Sequence, residues 1–293
     1  MKRFVVVLLL AGVSAVPARG QTAEEKKATV AYLQGLQQPD GGFLPAHTPA
    51  ANVPSSLRAT SSALRALKYF GGEPKDRAAA AKFVEKCCDR ASGGFADQPG
   101  GKPDVFSTAV GIMAVVETKL PAERYGDGAI KYLAENVKTF EEVRIAVAGL
   151  ESLGKPSPKA EEWRKQVAAL LNADGTAGKG DGAARETGSA VVALLRMGAP
   201  IKDKDTVLRT LKAGQRPDGG FGKAGEKGSD LETSYRVMRC FHLLHSKPDA
   251  APLRAFVAKC RNADGGYGVA PGQPSTVSGT YFASIILYWL DQK

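Results

Sequence analysis

Residues 215–222 read QRPDGGFG, and residues 37–43 read QQPDGGF. Three weaker copies accompany them: DRASGGF at 89–95, NADGTAG at 172–178 and NADGGYG at 262–268. The residues heading the copies, Asp40, Ser92, Asp174, Asp218 and Asp264, recur about every 45 residues, except across one gap of nearly two periods. The gap predicts a sixth unit whose glycine turn, around residues 125–140, has been lost. A fixed period of this length marks a repeat architecture, in which each unit buries its apolar face against its neighbours.

Each unit reads the same way. A charged amphipathic segment comes first, as in TAEEKKATVAYLQGLQ (22–37) and KDRAAAAKFVEKCCDR (75–90). Its apolar positions recur at three-to-four spacing. After the turn comes a segment with far less charge, such as VFSTAVGIMAVVET (105–118), ETGSAVVALLRM (186–197) or STVSGTYFASIILYWL (275–290). Segments apolar or small nearly all round are buried helices. Six alternations, with no polar capping repeat at either end, predict an all-α double ring: an α6/α6 toroid of six inner and six outer helices.

The turn suits a structural joint. Its glycines permit positive φ, Asp40, Asp218 and Asp264 are able to accept backbone N–H bonds, and Phe43, Phe95, Phe221 and Tyr267 offer rings to bury. A phosphate-cradling loop would need a GxxxxGK[ST] run or a strand–GxGxxG–helix context, and neither occurs.

The chain of 293 residues is 43% hydrophobic and 24% charged, an ordinary globular balance. Lys2 and Arg3 precede the apolar run FVVVLLLAGVSAV and a small-residue exit, PARGQ, which is the pattern of a secretory signal. Residues 1–20 are therefore expected to be removed, leaving residues 21–293 as one exported domain, periplasmic or secreted, that spans no membrane. Without Lys2, Arg3 and Arg19 the net charge falls from +10 to +7. The basic residues are dispersed along helices, which excludes a clustered nucleic-acid surface. Cys87 and Cys88 are adjacent, and the four cysteines have no CxxC spacing, so no cysteine-built metal or redox site is expected. Pairing of Cys240 with Cys260 stays open.

Repeated Q-x-x-D-G-G-F/Y turns leading into small-residue helices resemble the prenyltransferase and squalene-cyclase repeat superfamily over about residues 22–290. The six-unit length looks most like the β subunit of protein prenyltransferases, including the Rab geranylgeranyl type. That resemblance implies an apolar funnel inside the inner barrel and, in active relatives, zinc near its rim. Those relatives carry R-x-x-K-x-x-D-x-C before the fifth inner helix, where Asp and Cys bind zinc and Arg and Lys hold the isoprenoid diphosphate; a His on the last inner helix completes the zinc site. Here the matching stretch is AGEKGSDLETSY. Lys227 and Asp230 keep the pattern, whereas Ala224 replaces the Arg, Glu232 replaces the Cys and Gly279 or a neighbour stands at the His.

Asp230 and Glu232 are thus the only candidates for a metal-ligating or catalytic role, and without sulfur or imidazole they form a hard, incomplete donor set. Asp230 reads equally as a helix cap. Lys227, Arg185, Arg236, Arg144, Tyr235 and Tyr281 are the candidate ligand-binding residues. Arg185 corresponds to an Arg that faces the peptide substrate in relatives, or else pairs with Glu186 or an outer-helix carboxylate. Arg144 and Arg236 interrupt otherwise apolar helices, and guanidinium there suits an anionic headgroup. His242 and His245 end a helix and read as surface residues, and His47 has no partner visible in sequence. The D-x-D-D acid of cyclases is absent; KDKDT (202–206) lies on an outer helix. The expectation is a toroid binding an apolar, isoprenoid-like ligand or a peptide, with no cofactor and a degenerate zinc site. The alternatives are a transferase with a rebuilt metal site, which would need an α partner, and an extracytoplasmic interaction scaffold.

Overall fold

The computed structural model describes residues 20–47 and 53–292. The proposed signal segment falls almost wholly outside the described residues. Twelve α-helices are present among them: α1 (Ala23–Gly35), α2 (Leu57–Phe70), α3 (Arg77–Lys86), α4 (Val105–Glu117), α5 (Glu123–Asn136), α6 (Phe140–Leu153), α7 (Ala160–Ala168), α8 (Ala183–Arg196), α9 (Lys204–Ala213), α10 (Leu231–Leu243), α11 (Ala250–Lys259) and α12 (Val277–Asp291). None is long and apolar enough to cross a membrane.

The even-numbered helices form the inner barrel. Each packs on the next, from α2 through α4, α6, α8 and α10 to α12, and α12 packs back on α2. The odd-numbered helices lie outside, against the inner helices that flank them in sequence. The ring is closed, as the alternation predicts. The seam is also sealed on the outside, where Thr29 Oγ1 of α1 donates to the Gly265 carbonyl at 2.8 Å.

The repeated turn is the joint between the two rings. Asp218 Oδ1 accepts from the Gly220 amide (3.0 Å) and from Ser229 Oγ (2.7 Å). Asp40 and Asp264 do the same with Gly42 and Ser55 and with Gly266 and Ser275. The two glycines of the joint answer different needs. Gly219 has φ +94°, the left-handed region an L residue enters only with strain, and a Cβ there would overlap the Pro252 carbonyl of α11. A Cβ on Gly220 would stand 2.6 Å from Ser229 Cβ and 2.8 Å from the Phe256 ring. Each joint thereby leans on the next outer helix, and Phe43, Phe95, Phe221 and Tyr267 are fully buried behind it. The third unit, whose turn is missing from the sequence, passes from α5 to α6 through residues 137–139 alone, with a Thr139–Glu142 capping box starting the inner helix.

Every inner helix follows an outer one in the chain, so all six begin at one end of the barrel. Five open on a side-chain cap, from Ser56, Asp104, Thr139, Asp230 and Thr276. The sixth, α8, follows a 3₁₀ turn at Gly180–Gly182 and has no side-chain cap. All four cysteines are free thiols, Cys240 and Cys260 included, and both of these are buried. Burial pushes each of those two thiols up to about 12, which keeps them protonated.

Candidate functional site

A cavity of about 170 Å³ lies inside the inner barrel. Charged side chains interrupt the apolar wall that the resemblance implies. Arg65, Arg144, Arg196, Arg236 and Arg239 all line it, together with Glu232, Tyr235, Tyr281, Phe106 and Phe282. The inner helices are apolar where they pack on one another and on the outer ring; these arginines and Glu232 turn inward, whereas Arg58 and Lys68 of α2 stay exposed. Two larger depressions, of about 460 and 300 Å³, are grooves among α6, α7 and α8 and their connections. In neither does a comparable set of charges converge.

At the mouth, where the inner helices start, five charged groups form one chain. Arg236 donates to Glu141 through Nη1 (2.8 Å) and Nη2 (3.1 Å), and through Nη2 to Glu232 (2.6 Å). Arg144 pairs with Glu141 at 2.9 Å, and Arg185 lies 3.7 Å from Glu232. The chain joins α6, α8 and α10. Burial pushes the Glu141 carboxyl up, but hydrogen bonds from Arg236 and the charge of Arg144 outweigh it and hold the group down at about 2. Arg144 itself is lowered by its own burial and by the neighbouring Arg236.

Deeper in, Arg196 meets Glu151 at 2.9 Å. Arg239 has no carboxylate partner. Its guanidinium carbon lies 5.1 Å from the Tyr235 ring and 4.7 Å from Trp289, and its Nε and Nη2 are buried without a hydrogen bond. Arg65 stands 5.0 Å over the Tyr281 ring and donates only to Met113 Sδ, at 3.1 Å. Six guanidiniums, counting Arg185, therefore face three carboxylates, Glu141, Glu151 and Glu232.

The sequence-derived candidates separate cleanly. Arg144, Arg236, Tyr235, Tyr281 and Glu232 come together at the cavity, and Arg185 joins them at the mouth. Lys227 does not: it is an exposed side chain on the loop before α10 and is absent from the wall. Asp230 is the N-cap of α10, accepting from the Thr233 amide (2.7 Å) and the Thr233 hydroxyl (2.8 Å). Of the histidines, His242 stacks on Trp289 at 4.8 Å, and His47 lies edge-on to Tyr32 at 5.1 Å. Sequence reasoning missed Arg65, Arg196 and Arg239. Their signal was present: each is a cation set among the apolar and small residues of an inner helix.

The zinc site of active relatives does not fit these residues. Glu232, in place of the Cys, is committed to Arg236 and Arg185, and both Asp230 oxygens are used by the cap. A side chain at Gly279 would overlap the Tyr267 carbonyl, so no His fits there. Among the described residues no three His, Cys, Asp or Glu side chains converge into a set able to hold a metal ion.

The sequence profile of the prenyltransferase alpha-alpha toroid domain matches residues 2–74, 67–124 and 131–293, and the chain belongs to that family. No curated protein matches it in sequence. Its fold is similar to that of the type II terpene cyclase MstE from Scytonema, solved with merosterolic acid A as product (11% identity, TM-score 0.61, 92% of this chain and 95% of that one). It is also similar to a glycosidase variant, E335A, solved with glucose (16% identity, TM-score 0.62, 92% and 95%). A third similar structure is Candida albicans protein geranylgeranyltransferase-I with GGPP (12% identity, TM-score 0.61, 79% and 83%). At these identities the likeness concerns the fold alone, and the three chemistries named differ, so the fold selects none of them.

Proposed function

We propose that this protein is an exported, ligand-binding toroid that holds the acidic group of a small molecule or peptide in its central cavity and transfers no prenyl group. One observation carries the reading: five guanidiniums line a small cavity and a sixth, Arg185, stands at its mouth, with three carboxylates paired among them. Desolvated cations in excess call for an anion. Guanidiniums crowd the cavity wall, so an apolar tail or the body of a peptide would lie at the rim, with Phe106 and Phe282 beside it. Export rests on the basic, apolar and small-residue order of residues 1–20.

Native mass spectrometry of the purified full chain tests this. The expected result is one equivalent of a co-purified acidic compound, released on unfolding and lost in an Arg144→Gln, Arg236→Gln double variant. Stoichiometric zinc together with transfer of a geranylgeranyl group to a cysteine-containing peptide would overturn it. N-terminal sequencing of protein recovered from outside the cytoplasm, expected to begin near Arg19 or Gln21, tests export separately.

A further inference from the structure

The mouth and the floor of the barrel differ in how their charges are balanced. At the mouth, Glu141 and Glu232 are shared among Arg144, Arg185 and Arg236. Less than a turn beyond Arg236 on α10, Arg239 has no carboxylate within ion-pair distance, and neither has Arg65 of α2. Glu117 of α4, whose charge also acts on Arg65, is held by Lys68 at 3.2 Å. Arg196 of α8 joins them and shares its charge with Glu151 alone. Arg239 is only 8% exposed, and two of its donors have no partner. Aromatic faces from Tyr235, Tyr281 and Trp289 soften the cost of these cations without neutralising them.

Tyr235 sits among them. Its ring lies between Arg239 and the Tyr281–Phe282 pair, and its hydroxyl is 3.5 Å from that of Tyr281. Three guanidiniums reaching in from three helices offer donors on more than one side. A planar carboxylate is satisfied by one fork, whereas a tetrahedral oxyanion has oxygens for several.

We propose that the floor of the barrel is an oxyanion subsite in which Arg65 and Arg239, with Arg196 beside them, hold a phosphate- or sulfate-class anion, and Tyr235 takes up a proton as the anion arrives and gives it up as the anion leaves. The proposal rests on the ligand-binding reading above and names the chemistry of its deepest part. No bond is made or broken except the phenolic O–H, and the proton comes from solvent. In the empty site the tyrosinate is the counter-ion; in the filled site the anion replaces it.

The surroundings of Tyr235 support that exchange. Burial pushes its phenol up, but Arg239, Arg65 and Arg196 outweigh burial and bring it down to about 7, with the Tyr281 hydroxyl helping. Tyr281, buried next to it, is raised instead. The other titratable groups facing this point are Tyr69 on α2, Arg144 and Glu151 on α6, and His242 on α10; α4 offers Met113 and the Glu117 already paired. Burial and the neighbouring Arg239 hold His242 below its usual value, so it is neutral at the pH where Tyr235 titrates.

Inorganic sulfate is the probe, because its charge is constant through neutral pH. In the full chain without sulfate, the ultraviolet difference band of tyrosinate is expected to show one tyrosine titrating near neutrality. Sulfate should suppress that band and bind one-to-one, with an affinity that falls by about tenfold per pH unit above the tyrosine midpoint. Tyr235→Phe should abolish the band and the pH dependence while keeping sulfate binding, and Arg239→Gln should weaken binding by about tenfold or more. Titration with inorganic phosphate and with a short alkyl phosphate distinguishes a free ion from the head of a larger ligand; binding of either supports the subsite. A wild-type protein with no neutral-range tyrosinate, or with one that sulfate leaves unmoved, overturns the proposal, and that measurement needs no variant. An unmoved band with an acidic ligand still co-purifying removes the subsite and leaves the broader reading. A responsive band with no co-purified ligand does the reverse.

Discussion

The backbone amide of Phe221 donates to Ser234 Oγ at 3.0 Å. The same bond ties Phe43 to Thr60, Phe95 to Thr108, Ala177 to Thr187 and Tyr267 to Thr280, at 2.9–3.0 Å. In five units a buried hydroxyl on the inner helix thus satisfies the amide that the turn leaves inside the protein. Ser234→Ala removes the acceptor and orphans a buried donor, and it is expected to cost about 1–3 kcal/mol in chemical denaturation. A variant as stable as the parent would show that the amide finds another partner.

Glycines of one backbone conformation should respond unequally to alanine. Gly219 (φ +94°) meets the Pro252 backbone, while Gly71 (φ +76°), the C-cap of α2, has open space around its Cβ position. Gly71→Ala carries only the conformational cost, about 1–2 kcal/mol. Gly219→Ala adds a backbone collision and is expected to lose at least twice as much in the same denaturation assay. Equal losses would mean that the joint yields freely.

Glu141→Gln tests the mouth. It leaves Arg236 and Arg144 short of a carboxylate, and Arg236 is only 8% exposed. Because the Glu141 side chain is 42% exposed, the loss should be about 1–3 kcal/mol, below that of a fully buried pair. The carboxyl is depressed in the folded protein, so its contribution is complete above the ordinary carboxylate range, ~4.3, and is lost as pH falls through about 2. The stability gap between wild type and variant should therefore narrow over that acid window. A gap independent of pH would locate the effect in packing.

Tyr235 gives the opposite pH window. Its depressed phenol contributes stability that is complete above the unfolded value, ~10, and is lost as pH falls through about 7. Relative to Tyr235→Phe, wild type is expected to gain stability as pH rises from about 7 towards ~10. Thermal melts of the two proteins at matched pH read this directly, and parallel curves would refute it.

Asp230→Ala separates a cap from a ligand. As a cap, Asp230 should contribute about 0.5–2 kcal/mol, and its loss should leave the metal content unchanged. A zinc titration that saturates at one equivalent in wild type and fails in the variant would reverse that assignment.

The ring was legible because its signal is periodic. The Asp-Gly-Gly-Phe joints recur along the chain, and the gap in their spacing located the third unit even where Thr139 has replaced the turn. The cavity was harder to read. A resemblance drew attention to the segment before α10, where Lys227 points to solvent and Asp230 serves the helix. Arg144 and Arg236 stood out because their helices are apolar. Arg65, Arg196 and Arg239 are the same kind of exception, but their convergence depends on the rotation of three helices about their axes, which local pattern does not encode. The hydroxyls under the joints were equally hidden, because a Ser or Thr on a buried helix looks like a small packing residue until its partner is known.

The closed seam has a kinetic meaning. Five of the contacts that make the inner barrel join successive inner helices, with one outer helix between them in the chain; the contact of α12 with α2 joins opposite ends of the sequence, and the Thr29–Gly265 bond spans 236 positions. Closing that loop costs the most chain entropy and returns nothing until the other units are in place. The ring is therefore expected to assemble as an open arc that the α12–α2 contact closes last.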